Sequence, residues 1–334
     1  MWVVDEDTVF SELVKARPRR VLFTAPDGLL HHTCRLAERV RREFGVEALV
    51  VADPCYGSCD LIECDAERLN ADLVFHIGHG VSVSRVGRRT VMIDAYSTIE
   101  FDEVLRKAIP MLNNDCRVGL CTISPHLHQL DRVKERLEER GFRVVVGHGR
   151  GRLRDGQVLG CEFHTAYGVR GLVDLFLFLG QSMFHAVAVR MATGRRVLML
   201  DPYMNSVVDV KGEAVERMKR AMLAIYRALD AERFGVIVGL REGQTAIEKA
   251  VKLRERLEDL GREAELIAMR EVSGDRLNQL KHIDAFIQTA CPRISIDNYT
   301  YPKPLLSTPQ AEALLRLMNG GSLSEDFLEM ASWL

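Results

Sequence analysis

The sequence predicts an α/β protein made of three similar βαβ-type domains with parallel sheets, an internal triplication arranged around a central site. Three observations carry that expectation. Apolar β-branched runs alternate with charged amphipathic stretches, the alternation occurs three times, and each copy includes a further apolar run led by an aspartate. In the first copy the order is RRVLFTAPDG, RLAERVRREFG and VEALVVADP. In the second it is CRVGLCTISP, LDRVKERLEERG and FRVVVGHG; in the third, ERFGVIVGLREG, AIEKAVKLRERLEDLG and REAELIAMREVS. Short apolar runs flanking charged segments of helical periodicity are the signature of strand, crossover helix and parallel strand. The aspartate-led runs NADLVFHIGHG, LVDLFLFLGQS and HIDAFIQTACP superpose at Asp72, Asp174 and Asp284. The expected domains are residues 1–107, 108–208 and 209–334, the last ending in a capped amphipathic helix within TPQAEALLRLMN.

Composition sets the outer limits. The chain has 334 residues, 47% hydrophobic and 28% charged, with a formal net charge of -2. That length supplies several cores, and so small a net charge draws the protein to neither nucleic acid nor an anionic membrane. The acidic start MWVVDEDTVFSEL and the absence of any long apolar run make a soluble, unexported, cytoplasmic protein the expectation. In such a compartment the eight cysteines stay reduced, so metal binding, catalysis or core packing must explain them.

In open parallel sheets ligands gather at the carboxyl ends of the strands. Each copy places one cysteine in such a loop: Cys59 in DPCYGSCDL, Cys161 after QVLG, and Cys291 after AFIQTA. If the copies pack around an axis, three thiols face one point. Three buried core thiols are the alternative reading; otherwise, three thiolates with an open fourth position suit zinc or an iron-sulfur cluster. Cys55 competes with Cys59, whereas Cys34, Cys116 and Cys121 read as packing. Asp53, His79, Gln181, Arg241, Gly243 and Gln244 also fall at strand ends, where they are candidates to hold a cofactor's polar groups; ordinary turns and structural side chains are the competing account. Asp27 and Gly28 read equally well as a turn. The basic GRGRLR stretch at 149–154 reads first as a solvated turn.

The segments DPCYGSCDL, VLGCEF, LREGQ and ACPRISIDN followed by YPKPLLSTPQAEALL together resemble the archaeal 2-(3-amino-3-carboxypropyl)histidine synthases of diphthamide biosynthesis, over nearly the whole chain. The resemblance implies a homodimer of three-domain subunits whose Cys59, Cys161 and Cys291 hold a 4Fe-4S cluster, with the fourth iron open to S-adenosylmethionine. It further implies a noncanonical radical transfer of the 3-amino-3-carboxypropyl group to carbon 2 of a histidine in elongation factor 2, fed by an electron donor. The family pattern places the ligand after Tyr-Gly-Ser, which selects Cys59 over Cys55. Other readings are a quinolinate-synthase-like Lewis-acid enzyme, a noncatalytic metal-binding partner subunit and a zinc scaffold.

Overall fold

The structure, a computed structural model, describes residues 2–297 and 301–323. It holds three sheets of one strand order. In each, the first strand (Arg20–Thr24, Arg117–Thr122, Arg233–Gly239) lies between the second (Glu47–Val50, Arg143–Val146, Glu263–Met269) and the third (Leu73–Ile77, Leu175–Leu179, Ala285–Gln288), with a fourth (Thr90–Ile93, Arg196–Asp201, Leu305–Leu306) outside the third. All these pairings are parallel. Antiparallel edge strands extend the first sheet (Arg85–Val86) and the second (Ser206–Asp209). Trp2–Val4 pairs separately with Ala95–Ser97. No helix among the described residues is long and apolar enough to cross a membrane.

The repeated aspartate has a structural reason. Asp72 accepts from the amides of Arg19 and Arg20 at 2.7 and 3.0 Å, Asp174 from Arg117 at 2.8 Å, and Asp284 from Glu232 and Arg233 at 3.2 and 2.9 Å. Each aspartate amide donates in turn to the carbonyl of Arg20, Arg117 or Arg233. One carboxylate thus closes off the free amides where the first strand begins and fixes its register against the third. The registers agree accordingly: Val21 faces Leu73, Val118 faces Leu175 and Phe234 faces Ala285.

One step further, the paired side chains exchange volume. Leu22 faces Val74 in the first sheet, whereas Gly119 faces Phe176 and Gly235 faces Phe286. A β-carbon on Gly235 would stand 2.8 Å from Cδ1 of Phe286. The glycines are therefore the space that the buried phenylalanines occupy.

The crossover helices follow from the 3.6-residue period. Leu30–Phe44 buries Thr33, Leu36, Ala37 and Val40, and ends at Gly45 with φ 65°. Leu130–Glu138 buries Val133 and Leu137, and Ile247–Asp259 buries Ala250, Leu253 and Leu257. The expected terminal helix is Thr308–Met318, opened by a capping box in which the Ser307 amide donates to Gln310 Oε1 at 2.7 Å.

The seams between units differ in character. Apolar residues of the second and third units form one continuous core, from Phe178 and Val187 through Ala221 and Ile225 of helix Lys211–Ala228 to Phe234 and Leu314. The first unit joins the second through an apolar patch, where Phe101, Val104 and Leu105 pack with Val118, Leu177 and Leu198, and joins both others by polar contacts. Gln157 Nε2 donates to the Gly80 carbonyl at 2.7 Å and the Cys64 amide to Glu242 Oε1 at 2.7 Å. The GRGRLR stretch belongs to this seam and is more than a solvated turn: Leu153 is buried, and Arg154 pairs with Asp94 at 2.8 Å and donates to the Val81 carbonyl at 2.8 Å. Cys116 and Cys121 are buried as expected, but Cys34 is exposed on its helix and does not pack.

Gly235→Val is expected to lower the unfolding free energy by about 1–3 kcal/mol, the usual cost of overpacking. Gly212→Ala, with open space around its α-carbon, should stay within about 0.5 kcal/mol of the parent. Urea titration followed by circular dichroism checks both.

Candidate metal centre

The loop after strand Glu47–Val50 carries Cys59, and a small network shapes it. Asp60 is buried, accepts from the Tyr56 amide at 3.2 Å, and pairs with Arg241 Nη1 at 2.5 Å. The same Arg241 nitrogen reaches the Pro54 carbonyl at 3.2 Å, and its guanidinium lies 4.8 Å from the centre of the Tyr56 ring. The Gly243 amide donates to the Cys59 carbonyl at 3.0 Å, and Gln244 Nε2 lies 3.5 Å from Cys59 Sγ. Gly243 must be glycine for this approach, since a β-carbon would run into the Cys59 backbone. Arg241, Gly243 and Gln244 of the third unit, candidates to hold a cofactor's polar groups, are also engaged in seating the cysteine loop of the first.

Cys161 is presented by a tight turn in which the Leu159 amide donates to the Glu162 carbonyl at 2.9 Å. No strand precedes it; Gln157 makes only an isolated bridge to Thr122. Gly160 lies close to the Phe184 ring, where a β-carbon would collide with Cε1. Arg293 stacks 4.0 Å from the centre of that ring and donates to the Phe184 carbonyl at 2.6 Å. Arg293 is itself buried and pairs with Asp297 at 2.6 Å, which also receives Arg217 at 2.9 Å. The Cys161 turn and the helix Pro292–Asp297 that follows Cys291 are thereby packed through one phenylalanine.

Cys291 sits where strand Ala285–Gln288 runs out. Gln288, 1% exposed, clamps the turn: its Oε1 accepts from the amides of Ala290 and Cys291, both at 3.0 Å, and its Nε2 donates to the Cys291 carbonyl at 2.6 Å. Counting from the repeated aspartates, Cys291 occupies the same step as His79 and Gln181, seven residues beyond Asp284, Asp72 and Asp174. Cys59 and Cys161 lie instead between second and third strands, where the third unit carries Arg270 and Glu271.

Cys161, exposed on its turn, and half-buried Cys291 both sense neighbouring sulfurs. Desolvation pushes the Cys161 thiol up to about 11, and the neighbouring sulfurs of Cys291 and Cys59 push in the same direction. Desolvation likewise raises Cys291, with Cys59 adding to it. Neighbouring thiols that oppose each other's ionisation are suited to a cationic centre that takes up the negative charge.

A second group stands beside the Cys59 loop. Cys55 is buried, with Sγ 3.7 Å from both His76 Nε2 and His79 Nδ1, which are themselves 3.0 Å apart. Burial drives His76 down to about 3 and His79 to about 4, and lifts Cys55 to about 11. Gln181 is elsewhere on the rim, its Oε1 3.4 Å from His126 Nε2. Asp53 is exposed and, with Thr24, Cys55, Asp60, Arg241 and Glu271, lines a cavity of about 540 Å³ between the first and third units. Asp27 and Gly28 form a single 3₁₀ turn, as a turn reading requires. Sequence reasoning missed Asp60, His76, Phe184, Gln288 and Arg293; Asp60 and Arg293 each stand within two residues of a candidate cysteine and were the findable ones.

Three α/β units of one strand order, each with a loop cysteine at Cys59, Cys161 or Cys291, define a multidomain α/β protein with a candidate thiolate site. Residues 25–323 match the sequence profile described as "Putative diphthamide synthesis protein". The 2-(3-amino-3-carboxypropyl)histidine synthase of Pyrococcus horikoshii is 32% identical over 94% of this chain and 91% of its own length. Subunit 1 of the Schizosaccharomyces pombe synthase is 28% identical over 90% of this chain and 71% of its own. The crystal structure of Dph2 from Pyrococcus horikoshii with a 4Fe-4S cluster superposes with a TM-score of 0.86 at 31% identity, covering 95% of this chain and 92% of that one. The chain belongs to the diphthamide synthesis protein family.

Two consequences are measurable. Arg241→Leu strands the buried Asp60 carboxylate and should cost on the order of 3 kcal/mol in denaturant titration, part of it recovered when Asp60→Asn is added. Buried His126, pushed down to about 4 by desolvation, stays neutral in the fold while the unfolded chain takes up a proton near pH 6.5. Its contribution is therefore complete above pH 6.5 and lost as pH falls towards 4, so the metal-free protein should show a steeper acid loss of stability than His126→Gln.

Proposed function

We propose that this chain catalyses the first step of diphthamide biosynthesis, transferring the 3-amino-3-carboxypropyl group of S-adenosylmethionine to carbon 2 of a histidine in elongation factor 2. The observation that supports the reading is membership of this family, in a chain whose expected units (1–107, 108–208 and 209–334) each carry one loop cysteine, Cys59, Cys161 or Cys291, with the Cys161 thiol raised by the neighbouring Cys291 and Cys59. Three thiolates suit a 4Fe-4S cluster with one iron left open. When bound and reduced, such a cluster supplies the electron that breaks the sulfonium bond to the aminocarboxypropyl carbon and frees methylthioadenosine.

The chain's own residues hold and orient. Gln244 donates towards the Cys59 sulfur, and a donor there stabilises the negative charge that thiolate carries. Asp60 and Arg241 keep the loop rigid, and Gln288 does the same for the Cys291 turn. The cavity beside the Cys59 loop, with Asp53 and Arg241 on its wall, is the place for the polar parts of S-adenosylmethionine. His79 through its Nε2 and Gln181 are further partners on the rim. Fixing that molecule against an open iron decides which sulfur–carbon bond is presented for cleavage. The protein works as a cytoplasmic homodimer and receives its electron from a separate donor.

Anaerobic purification with optical and paramagnetic resonance spectra, followed by reduction with S-adenosylmethionine, tests the proposal. Wild type should show a reducible 4Fe-4S signal and form methylthioadenosine, then modify elongation factor 2 at one histidine. Cys59→Ala, Cys161→Ala and Cys291→Ala should each lose or alter the signal and form no product. A zinc protein without a chromophore, or a cluster that leaves S-adenosylmethionine intact under reduction, refutes it.

A further inference from the structure

The geometry points to a second, mononuclear metal site in the first unit, in which Cys55 Sγ, His76 Nε2 and His79 Nδ1 bind a borderline divalent cation such as zinc. The three atoms come from two places. Cys55 lies in the loop that also bears Cys59, whereas His76 lies within strand Leu73–Ile77 and His79 two residues past its end. They nevertheless form a closed triangle, 3.7, 3.7 and 3.0 Å on its sides.

A tetrahedral zinc ion, with bonds of about 2.3 Å to sulfur and about 2.0–2.1 Å to nitrogen, holds its sulfur and nitrogen ligands about 3.5 Å apart and two nitrogens about 3.3 Å apart. The observed triangle matches within a few tenths of an ångström. The same distances admit hydrogen bonds among the three side chains, which equilibration with zinc separates from a bound ion. The donor set is also the right one, for one thiolate and two neutral imidazoles are borderline-soft ligands that select zinc, cobalt or iron over magnesium or calcium. Binding displaces the Cys55 thiol proton to solvent, so each ion bound releases one proton.

The environment fits as well. Cys55 and His76 are buried and His79 half-buried, so the ion would sit inside the protein, and the fourth position falls to water or an incoming ligand. Cys55 also lines the cavity between the first and third units, which gives the ion an entry path. Bound there, it cross-links the cysteine loop to the end of the third strand of the same unit. The site lies wholly within the first unit, so it stands or falls separately from the proposed cluster chemistry.

The test uses the full chain carrying Cys59→Ala, Cys161→Ala and Cys291→Ala, which removes the cluster ligands and leaves the triangle. After equilibration with zinc and gel filtration it should retain about one zinc per chain by mass spectrometry, and cobalt should give thiolate charge-transfer and tetrahedral d–d bands. Adding Cys55→Ser, or separately His79→Ala, should weaken zinc by more than about 100-fold, beyond what loss of an outer hydrogen bond does. In parallel, anaerobically purified wild type with its cluster intact guards against a triple variant that fails to fold. It should carry one zinc besides its iron, and Cys55→Ser should lose the zinc and keep the iron. Absence of zinc and of cobalt bands in both preparations overturns the site. So does zinc that survives loss of Cys55 and His79, and so does iron lost together with zinc in Cys55→Ser, which would place these atoms in the cluster's own site.

Discussion

A carboxylate bonded to the first amides of a neighbouring strand sets the geometry of this protein three times. Asp72, Asp174 and Asp284 each tie the beginning of a third strand to the beginning of a first one. A slip of one residue in a strand would turn every side chain to the opposite face. With the register pinned at one end, the distance to the other end is fixed by strand rise alone, and the residues that emerge there are His79, Gln181 and Cys291. The chemistry at the carboxyl edge thus depends on a hydrogen bond at the amino edge.

The second requirement is that three such sheets meet with their loops in contact, and the two kinds of seam divide that task. The continuous apolar core between the second and third units holds them as one body, an arrangement that tolerates little sliding. The first unit packs its last helix on the second through Phe101, Val104 and Leu105, and meets the third by directional bonds, among them Arg241 to Asp60 and Gly243 to Cys59. Directional contacts specify position more than they add stability. They are concentrated where position matters, around the loop that offers Cys59.

The layers of the fold were legible because they are written in local pattern: alternating apolar runs, helical periodicity and an aspartate at a fixed place. The three cysteines were legible as loop residues, although the apolar run before Cys161 forms only an isolated bridge and not a strand. What could not be read depends on pairing across distance. Gly119 and Gly235 look like interruptions of a strand until their register places Phe176 and Phe286 opposite them. Arg241 and Gly243 look like a ligand-binding turn, and only their approach to a loop more than 180 positions earlier shows what they hold. Cys55 and His79 lie 24 positions apart, with nothing in that interval to announce that they converge.

The triplication also shows that the three cysteines do not occupy equivalent places in the repeat. A strictly threefold protein would offer the same residue at each equivalent loop, and three cysteines so placed would surround an axis evenly. Here Cys59 and Cys161 use the loop between second and third strands, while Cys291 uses the step after the third strand, where the other units present His79 and Gln181. In the third unit the loop corresponding to Cys59 and Cys161 carries Arg270 and Glu271, both on the wall of the cavity beside Asp53 and Arg241. Moving one cysteine off its repeat position thus leaves a loop of the third unit free of any thiol and lined by charge. A closed ring of equivalent ligands favours a buried structural metal; two loops of one kind and one of another leave a polar side through which a charged small molecule can approach.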